Sequence, residues 1–412
     1  MGLIQQIRHT PFNRSYATFI LVIMSIQLVP VEGFGTSPIK IGLMGLSLLV
    51  FLFRVPYLTR AFWACMLYWL TCLGVSLMQS YIRFNTLGYL GLFLVTYITY
   101  YNLVYSGAFA LGQFKKLLRD LLLAFTVFLI LQQIFVLVGI TYFPPLNLNG
   151  NLLGPGNIYY QWNRLPSLTC EPSHTARVIT ATMLGYIRCL EMEKGKNITL
   201  KNLFDKDNRL VTLAYLWLVF TTGSGTAWIG LAILCLYFIR WRTFIYIIPL
   251  ILVGFLILQY SGNEQLDRAI KTAQATLTGE VMEIQKADGS AAYRVIPLIN
   301  TILYTDLSDR RSWIGKGTLD EDDAENAWLD LTRKVSTVEQ YGLLGLIASL
   351  ILFYSCAVRR VFNIETLLLI FLLTLSLNNI YIVWSMMFIF TTVRYFQMQQ
   401  ERAKNRNKIV AS

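Results

Sequence analysis

The chain contains two histidines, His9 and His174, and the second stands among charged residues. It lies in the string Arg164-Leu-Pro-Ser-Leu-Thr-Cys-Glu171-Pro172-Ser173-His174-Thr-Ala-Arg177. Pro172 suits the first position of a helix, where its missing N–H is no loss. On that helix Glu171 and His174 are neighbours, as are His174 and Arg177, because residues three apart share a face. Glu171 and Arg177, six apart, point in different directions. A carboxylate or an imidazole here could take a proton, and the arginines could hold an anion at a helix N-terminus. The alternatives are structural: Glu171 as a helix cap and Arg177 as a cation snorkelling to the surface.

Two further stretches carry polar chemistry. Residues 261–339 hold Arg294, Arg310, Arg311, Trp313-Ile-Gly-Lys316-Gly317, and an acidic run from Asp320 to Asp323 with Glu325. The Gly-Lys-Gly is too short for a nucleotide-binding phosphate loop, and the acidic run reads as a solvated loop before a metal site. The turn Thr221-Thr-Gly223-Ser224-Gly225-Thr226 opens another helix, which Ser224 or Thr226 could cap. A plain helical hairpin explains that turn equally well.

Outward-facing helix N-termini with several arginines make an anion site, and arginine forks suit phosphate. Beside lipid, such a site suggests a lipid-linked phosphate or diphosphate substrate. The chain has no Cys/His cluster, Walker loop or dinucleotide fingerprint, so the energy for a reaction would arrive within the substrate. A polyprenyl diphosphate sugar fits, because its leaving group is already activated. Glu171 or His174 would be the base, with Arg164, Arg177 and Arg294 facing the departing diphosphate. Ser224, Thr226, Arg310, Arg311 and Lys316 are the further binding candidates. An oxocarbenium-like transition state would gain from a nearby carboxylate. No metal or cofactor is expected.

The elements that position these residues read as membrane helices. The chain is 55% hydrophobic and only 14% charged, against about a quarter in soluble proteins. Apolar runs fall at 15–31, 39–53, 61–82, 86–106, 118–141, 172–189, 210–222, 225–239, 243–260, 341–357, 363–378 and 380–396. The expected fold is all-α and polytopic, with about twelve transmembrane helices. Its parts are helices 1–5 (1–141), an outer loop (142–171), helices 6–9 (172–260), a large, partly helical outer loop (261–339), helices 10–12 (340–396) and a basic tail (397–412). Amphipathic helices are expected over 263–286 and 290–303.

Most of the 35 lysines and arginines fall in alternate connections: Arg54 and Arg60, Lys115 to Arg119, Arg188 to Arg209, Arg240 and Arg242, Arg359 and Arg360, and the tail. That bias places both termini in the cytoplasm and the two long polar loops outside. The net charge of +12 thus reports topology, not nucleic-acid binding. The short outer loops carry little besides Lys40 and Arg83. The first apolar run has no small-residue cleavage site after it and reads as a retained helix. Of six cysteines only Cys170 falls in an outer segment, so it has no disulfide partner there.

The string from Arg164 to Pro172 has the form R-x-x-S-x-x-x-E-P and resembles the arginine-then-Glu-Pro element of Wzy-type O-antigen and capsule polymerases. Thr222-Gly-Ser224-Gly-Thr226 resembles the T-x-S-x-T of that superfamily. Ser290-Ala-Ala-Tyr-Arg294, Ile314-Gly315-Lys-Gly317 and Tyr341-Gly342-Leu-Leu-Gly345 are similar to the O-antigen polymerase/ligase signature. The resemblance covers residues 160–345 and the helix plan.

This resemblance implies a GT-C-like glycosyltransferase in the bacterial plasma membrane, with its active site on the outer, periplasmic face. It would join undecaprenyl-diphosphate-linked oligosaccharides into O-antigen, capsule or exopolysaccharide, without metal or nucleotide sugar. It implies functional arginines at Arg164 and Arg294. The implied partners are membrane lipid and, as a candidate, a chain-length regulator. Related ligases carry a histidine in the larger outer loop, where this chain has none and Asn326 stands near that place. That difference favours polymerase over an O-antigen ligase-type transferase. A flippase or transporter for lipid-linked saccharide would instead bind near the bilayer midplane in broken helices or inverted repeats, and no such repeat is found.

Overall fold

The computed structural model describes residues 11–28, 37–79, 84–139, 162, 164–169, 171–195, 197–239, 271, 281–287, 289–317, 332–377 and 381–411. Among these, every regular element is helical. The first five helices are α1 (Pro11–Ser25), α2 (Pro38–Phe53), α3 (Arg60–Ser76), α4 (Phe84–Tyr105) and α5 (Leu111–Leu137). Next come α6 (Pro172–Lys194), the short α7 (Leu200–Leu203), α8 (Arg209–Thr221) and α9 (Gly225–Phe238). The remainder comprises α10 (Val281–Ala287), α11 (Gly289–Leu303), α12 (Arg310–Ile314), α13 (Ser336–Leu352), α14 (Ile364–Phe371) and α15 (Tyr381–Ala411). A π-helical turn, Phe353–Ala357, continues α13.

Local chemistry sets several boundaries. The Ser37 hydroxyl accepts from the Ile39 N–H and Pro38 opens α2. Pro172 opens α6, which stops at Gly195 with a left-handed φ of 63°. Asn363 caps α14 by accepting from the Thr366 N–H at 2.9 Å.

Contacts between helices fix their directions. Lys115 of α5 pairs with Glu193 near the end of α6. At the other end Gln132 of α5 holds Ser167, just before α6, so the two helices are antiparallel. Helix α15 runs parallel to α6: His174 meets Tyr381, and Gln400 donates to the Met192 carbonyl. Helix α9 is also parallel to α6, with Gly230 beside Thr180 and Tyr237 beneath Arg188. Lys40 of α2 reaches Tyr381, and Ser336 of α13 donates to Ser376. The N-termini of α2, α6, α9, α13 and α15 therefore gather at one end, that of Glu171. The opposite end is that of Arg188.

The centre of the bundle is aromatic and hydroxylated. Tyr97 shares a hydrogen bond with Thr391 at 2.7 Å, and Tyr100 with Thr392 at 2.8 Å. Phe93 stacks on the wholly buried Trp384 at 5.8 Å. Between helices in lipid, packing and such bonds hold the bundle, each bond contributing about 0.6 kcal/mol on average.

Among the described residues three helices are long and apolar enough to cross a membrane: Phe84–Tyr105, Leu111–Leu137 and Ser336–Ala357. This is consistent with a membrane protein and departs from the expected twelve spans. The apolar runs at α2, α8 and α9 form helices of 16, 13 and 14 residues. At 1.5 Å per residue these reach about 20–24 Å, short of a hydrocarbon core of about 30 Å. The run at 243–260 and most of the helix expected over 263–286 lie outside the described residues. The helix expected over 290–303 is present as α11.

Candidate functional site

Residues 164–169 form a buried strap leading into α6. Leu165, Ser167, Leu168 and Thr169 are all buried. Ser167 has a left-handed φ of 53°, rare for a side-chain-bearing residue. Three contacts hold it there. Its N–H donates to Gln132 Oε1 at 2.9 Å, its carbonyl accepts from Gln132 Nε2 at 3.0 Å, and its hydroxyl donates to the Phe125 carbonyl at 2.6 Å. The Leu168 carbonyl accepts from the Gln27 N–H at 2.8 Å. Thr169 Oγ1 shares a hydrogen bond with Thr175 Oγ1 at 2.7 Å, and Thr175 also donates to the Pro166 carbonyl. The strap is thus tied to α5, α6 and the chain beyond α1. Arg164 opens it, half-buried.

Glu171 ends the strap as the N-cap of α6, but its carboxylate makes no capping bond. The backbone carbonyl begins the helix instead, accepting from the N–H groups of His174 and Thr175 at 3.0 and 3.1 Å. The carboxylate is left for other work. Oε1 accepts from the Ser173 hydroxyl at 2.8 Å. Oε2 lies 3.6 Å from His174 Nε2, an ionic contact longer than a hydrogen bond. The Glu171 side chain remains 37% exposed and that of His174 20%, so a ligand can reach both.

Sequence reasoning missed two residues here. The His174 ring meets Tyr381 edge-on, with centroids 6.4 Å apart. Over that same tyrosine sits Lys40 Nζ, 3.2 Å from the ring centroid. Lys40 is only 3% exposed, so this end carries a buried cation held by cation–π attraction. Its sequence signal is its place within the first turn of an apolar helix, where an ionisable residue marks function by default. Tyr381 carried no such signal.

The turn before α9 is built otherwise than expected. Gly223 takes a φ of 60° and Ser224 is the N-cap, yet its side chain makes no capping bond. Thr226 does not cap either. Its hydroxyl and that of Thr222 are wholly buried, without a hydrogen-bond partner among the described residues. A buried unsatisfied hydroxyl costs about 1–3 kcal/mol, so two flanking one turn call for an occupant or a role.

The remaining candidates sit on other elements. Arg310 and Arg311 are exposed on α12, which Asp309 caps by accepting from the Arg311 N–H at 2.9 Å. Lys316 is exposed, and its backbone N–H donates to the Glu339 carbonyl at 2.7 Å. These three residues belong to a surface packed on α13, whereas Glu171 and His174 belong to α6. Gln79 Nε2 donates to the carbonyls of Ile314 and Gln340 at 2.5 and 2.7 Å, clamping α12 to α13. Arg333 pairs with Glu339 at 3.0 Å, and Asn300 of α11 donates to the Arg333 carbonyl at 2.9 Å. That bond ties the helix carrying Arg294 to the start of α13. The Arg294 side chain and the acidic run from Asp320 lie outside what is described, as does Cys170. Two cavities with described walls lie at the Arg188 end.

Chemically, the Glu171 end offers a reachable carboxylate beside an imidazole. The same end carries the buried Lys40 ammonium and parallel helix N-termini whose dipoles add positive potential, while the half-buried Arg164 opens the strap and the half-buried Arg177 lies in the second turn of α6. That combination suits proton abstraction next to a phosphate-bearing ligand. No protein-family model matches the chain, and no curated protein or solved structure matches it.

Proposed function

We propose that the chain is a metal-independent glycosyltransferase. It polymerises undecaprenyl-diphosphate-linked oligosaccharide repeat units at the outer face of a bacterial plasma membrane, as the resemblance to Wzy-type polymerases implies. The observation that carries this reading is the Glu171 carboxylate. It is freed from helix capping, 3.6 Å from His174 and open to a ligand.

In this reading Glu171 accepts the proton of the attacking sugar hydroxyl. The hydroxyl oxygen bonds to the anomeric carbon of the growing chain as the bond from that carbon to the diphosphate oxygen breaks. The electron pair leaves with the lipid diphosphate, whose charge Arg164, Arg177 and Lys40 offset. His174 positions the carboxylate, and Arg294 contributes from the second outer segment. Such preorganised cations act where charge develops, which is where they lower the barrier most. The excess of basic residues at the Arg188 end supports a cytoplasmic position for that end, with the Glu171 end outside.

The test is purified protein in vesicles with one lipid-linked repeat unit as sole substrate. A ladder of lengths is expected. A single transfer to a different acceptor identifies a ligase-type enzyme, and movement of the unit across the bilayer without bond formation identifies a flippase. Either result overturns the polymerase reading.

A further inference from the structure

The Arg188 end holds two cavities that share Arg359 and Glu401 as walls. One of about 310 Å³ is lined by Arg188, Arg360, Gln400 and Lys404 among others. The second, about 270 Å³, is lined by Arg60, Arg394 and Arg402 beside the shared pair. From Glu171 to Arg188 is seventeen residues of helix, about 25 Å, so this is a separate region from the candidate site.

Its charge is out of balance. Glu401 pairs with Arg359, which leaves Arg60, Arg394 and Arg402 facing the second cavity without an ion pair among the described residues. The positive-inside bias explains basic residues on exposed connections. It does not explain Arg394, which is 7% exposed. One nitrogen of Arg394, Nη1, donates to the carbonyls of Tyr354 and Val358 at 2.6 and 2.7 Å, where the π turn ends. Its Nε is buried with no partner among the described residues. A buried guanidinium satisfied only in part by neutral carbonyls is poised to meet an anion.

The surroundings indicate which anion. Phe362, two residues beyond Arg360, is 98% exposed, and Leu58, two before Arg60, is 60% exposed. Apolar side chains held out beside arginines fit a membrane interface, where the rings enter lipid and the cations meet headgroups. Arginine forks match phosphate oxygens in pairs.

We propose that the cavity formed by Arg60, Arg394 and Arg402 binds a phosphate group, supplied by an anionic lipid of the leaflet at this end. The site is independent of the chemistry at Glu171.

Full-length protein in detergent is titrated with fluorescent phosphatidylglycerol, with unlabelled phosphatidylglycerol and inorganic phosphate as competitors. Arg60 and Arg402 are exposed, so R60Q/R402Q leaves the fold intact; unchanged melting without lipid checks this, and R402Q alone is the second variant. Wild type is expected to bind the probe about tenfold or more tightly than the double variant, with R402Q between them. Competition by inorganic phosphate assigns recognition to the phosphate itself, and competition by the lipid alone assigns it to the headgroup on its lipid. Equal binding by wild type and both variants overturns the proposal.

Discussion

Gly315 and Gly342 pack backbone against backbone, and neither position has room for a side chain. A Cβ on Gly315 would lie 2.6 Å from the Gly342 nitrogen, and one on Gly342 would strike the Trp313 carbonyl. Both glycines have positive φ, 76° and 66°. The contact joins the Ile314-Gly315 and Tyr341-Gly342 motifs, which are far apart in sequence, and Gln79, three residues beyond the end of α3, clamps the junction. Gly342→Ala should therefore destabilise the protein by more than the roughly 1 kcal/mol typical of a strained backbone position, because backbone atoms must also move. Gly42→Ala is the control. It lies in α2 with nothing within 4 Å of the added carbon, and should be neutral or slightly stabilising. Thermal unfolding of the two purified variants compares them, and equal melting temperatures would refute the interlock.

Glu171→Gln should abolish polymer formation by about 100-fold or more, the usual contribution of a positioned base. The melting temperature should stay within a few degrees of wild type, because the backbone carbonyl, not the carboxylate, starts α6. Polymer yield from the vesicle assay decides the first point and unfolding the second. A large stability loss with normal yield would make Glu171 a structural residue.

Lys40→Met keeps the volume and apolar stem of the side chain but removes its charge. Leaving no buried ammonium to solvate, it should hold stability near wild type while losing the cation–π contact to Tyr381, an effect of about 1–2 kcal/mol at most. If Lys40 faces the diphosphate, turnover should fall more than tenfold and addition of salt should not restore it. Unchanged turnover would confine Lys40 to packing.

Much of this end was legible in the sequence. The proline at the start of α6 and the spacing of Glu171 and His174 are local facts, and helical geometry carries them into three dimensions unchanged. The strap was legible only as a motif. Its left-handed Ser167 depends on Gln132 of another helix, and no local rule predicts that bond. Lys40 and Tyr381 lie at opposite ends of the chain, so only the fold brings them together. The Ser224 turn failed for a different reason, since capping propensity assumes a free hydroxyl and a reachable N–H, and burial decided otherwise. The span count failed because apolar composition marks helices buried in a bundle as strongly as helices long enough to cross lipid.

Asp205 offers a pH test outside the apolar helices. The Lys194 ammonium and the Asn202 amide, both bonded to its carboxylate, hold it below the usual carboxylate range. A depressed folded-state value stabilises the protein above the unfolded carboxylate range, and that contribution fades as pH falls through the folded value. Asp205→Asn should thus melt slightly lower than wild type at pH 7, and the gap should close as the pH falls below the depressed folded-state value and the carboxyl is protonated in both states. The gap at pH 7 should also shrink in high salt, because the pair is open to solvent. A gap that persists at acid pH would show that the substitution acts through something other than charge.

The Arg188–Glu365 pair makes the sharpest stability prediction. Arg188 Nε meets Glu365 Oε1 at 2.8 Å and its terminal nitrogen meets Oε2 at 3.0 Å, while a third bond of 2.9 Å reaches Glu191. The Glu365 side chain is 6% exposed, so the pair joins α6 to α14 out of water. Removing one partner strands a buried charge, and breaking such pairs typically costs about 3–5 kcal/mol. Glu365→Gln keeps the shape and one acceptor, so its loss should be smaller than that of Glu365→Ala. Replacing both partners, Arg188→Met with Glu365→Leu, should recover most of the stability, because no buried charge is left uncompensated except at Glu191, which can turn to solvent. Denaturation of the four proteins ranks their stabilities directly. If the double variant is no more stable than Glu365→Ala, the pair contributes through its bonds alone, and the stranded-charge account of this contact is wrong.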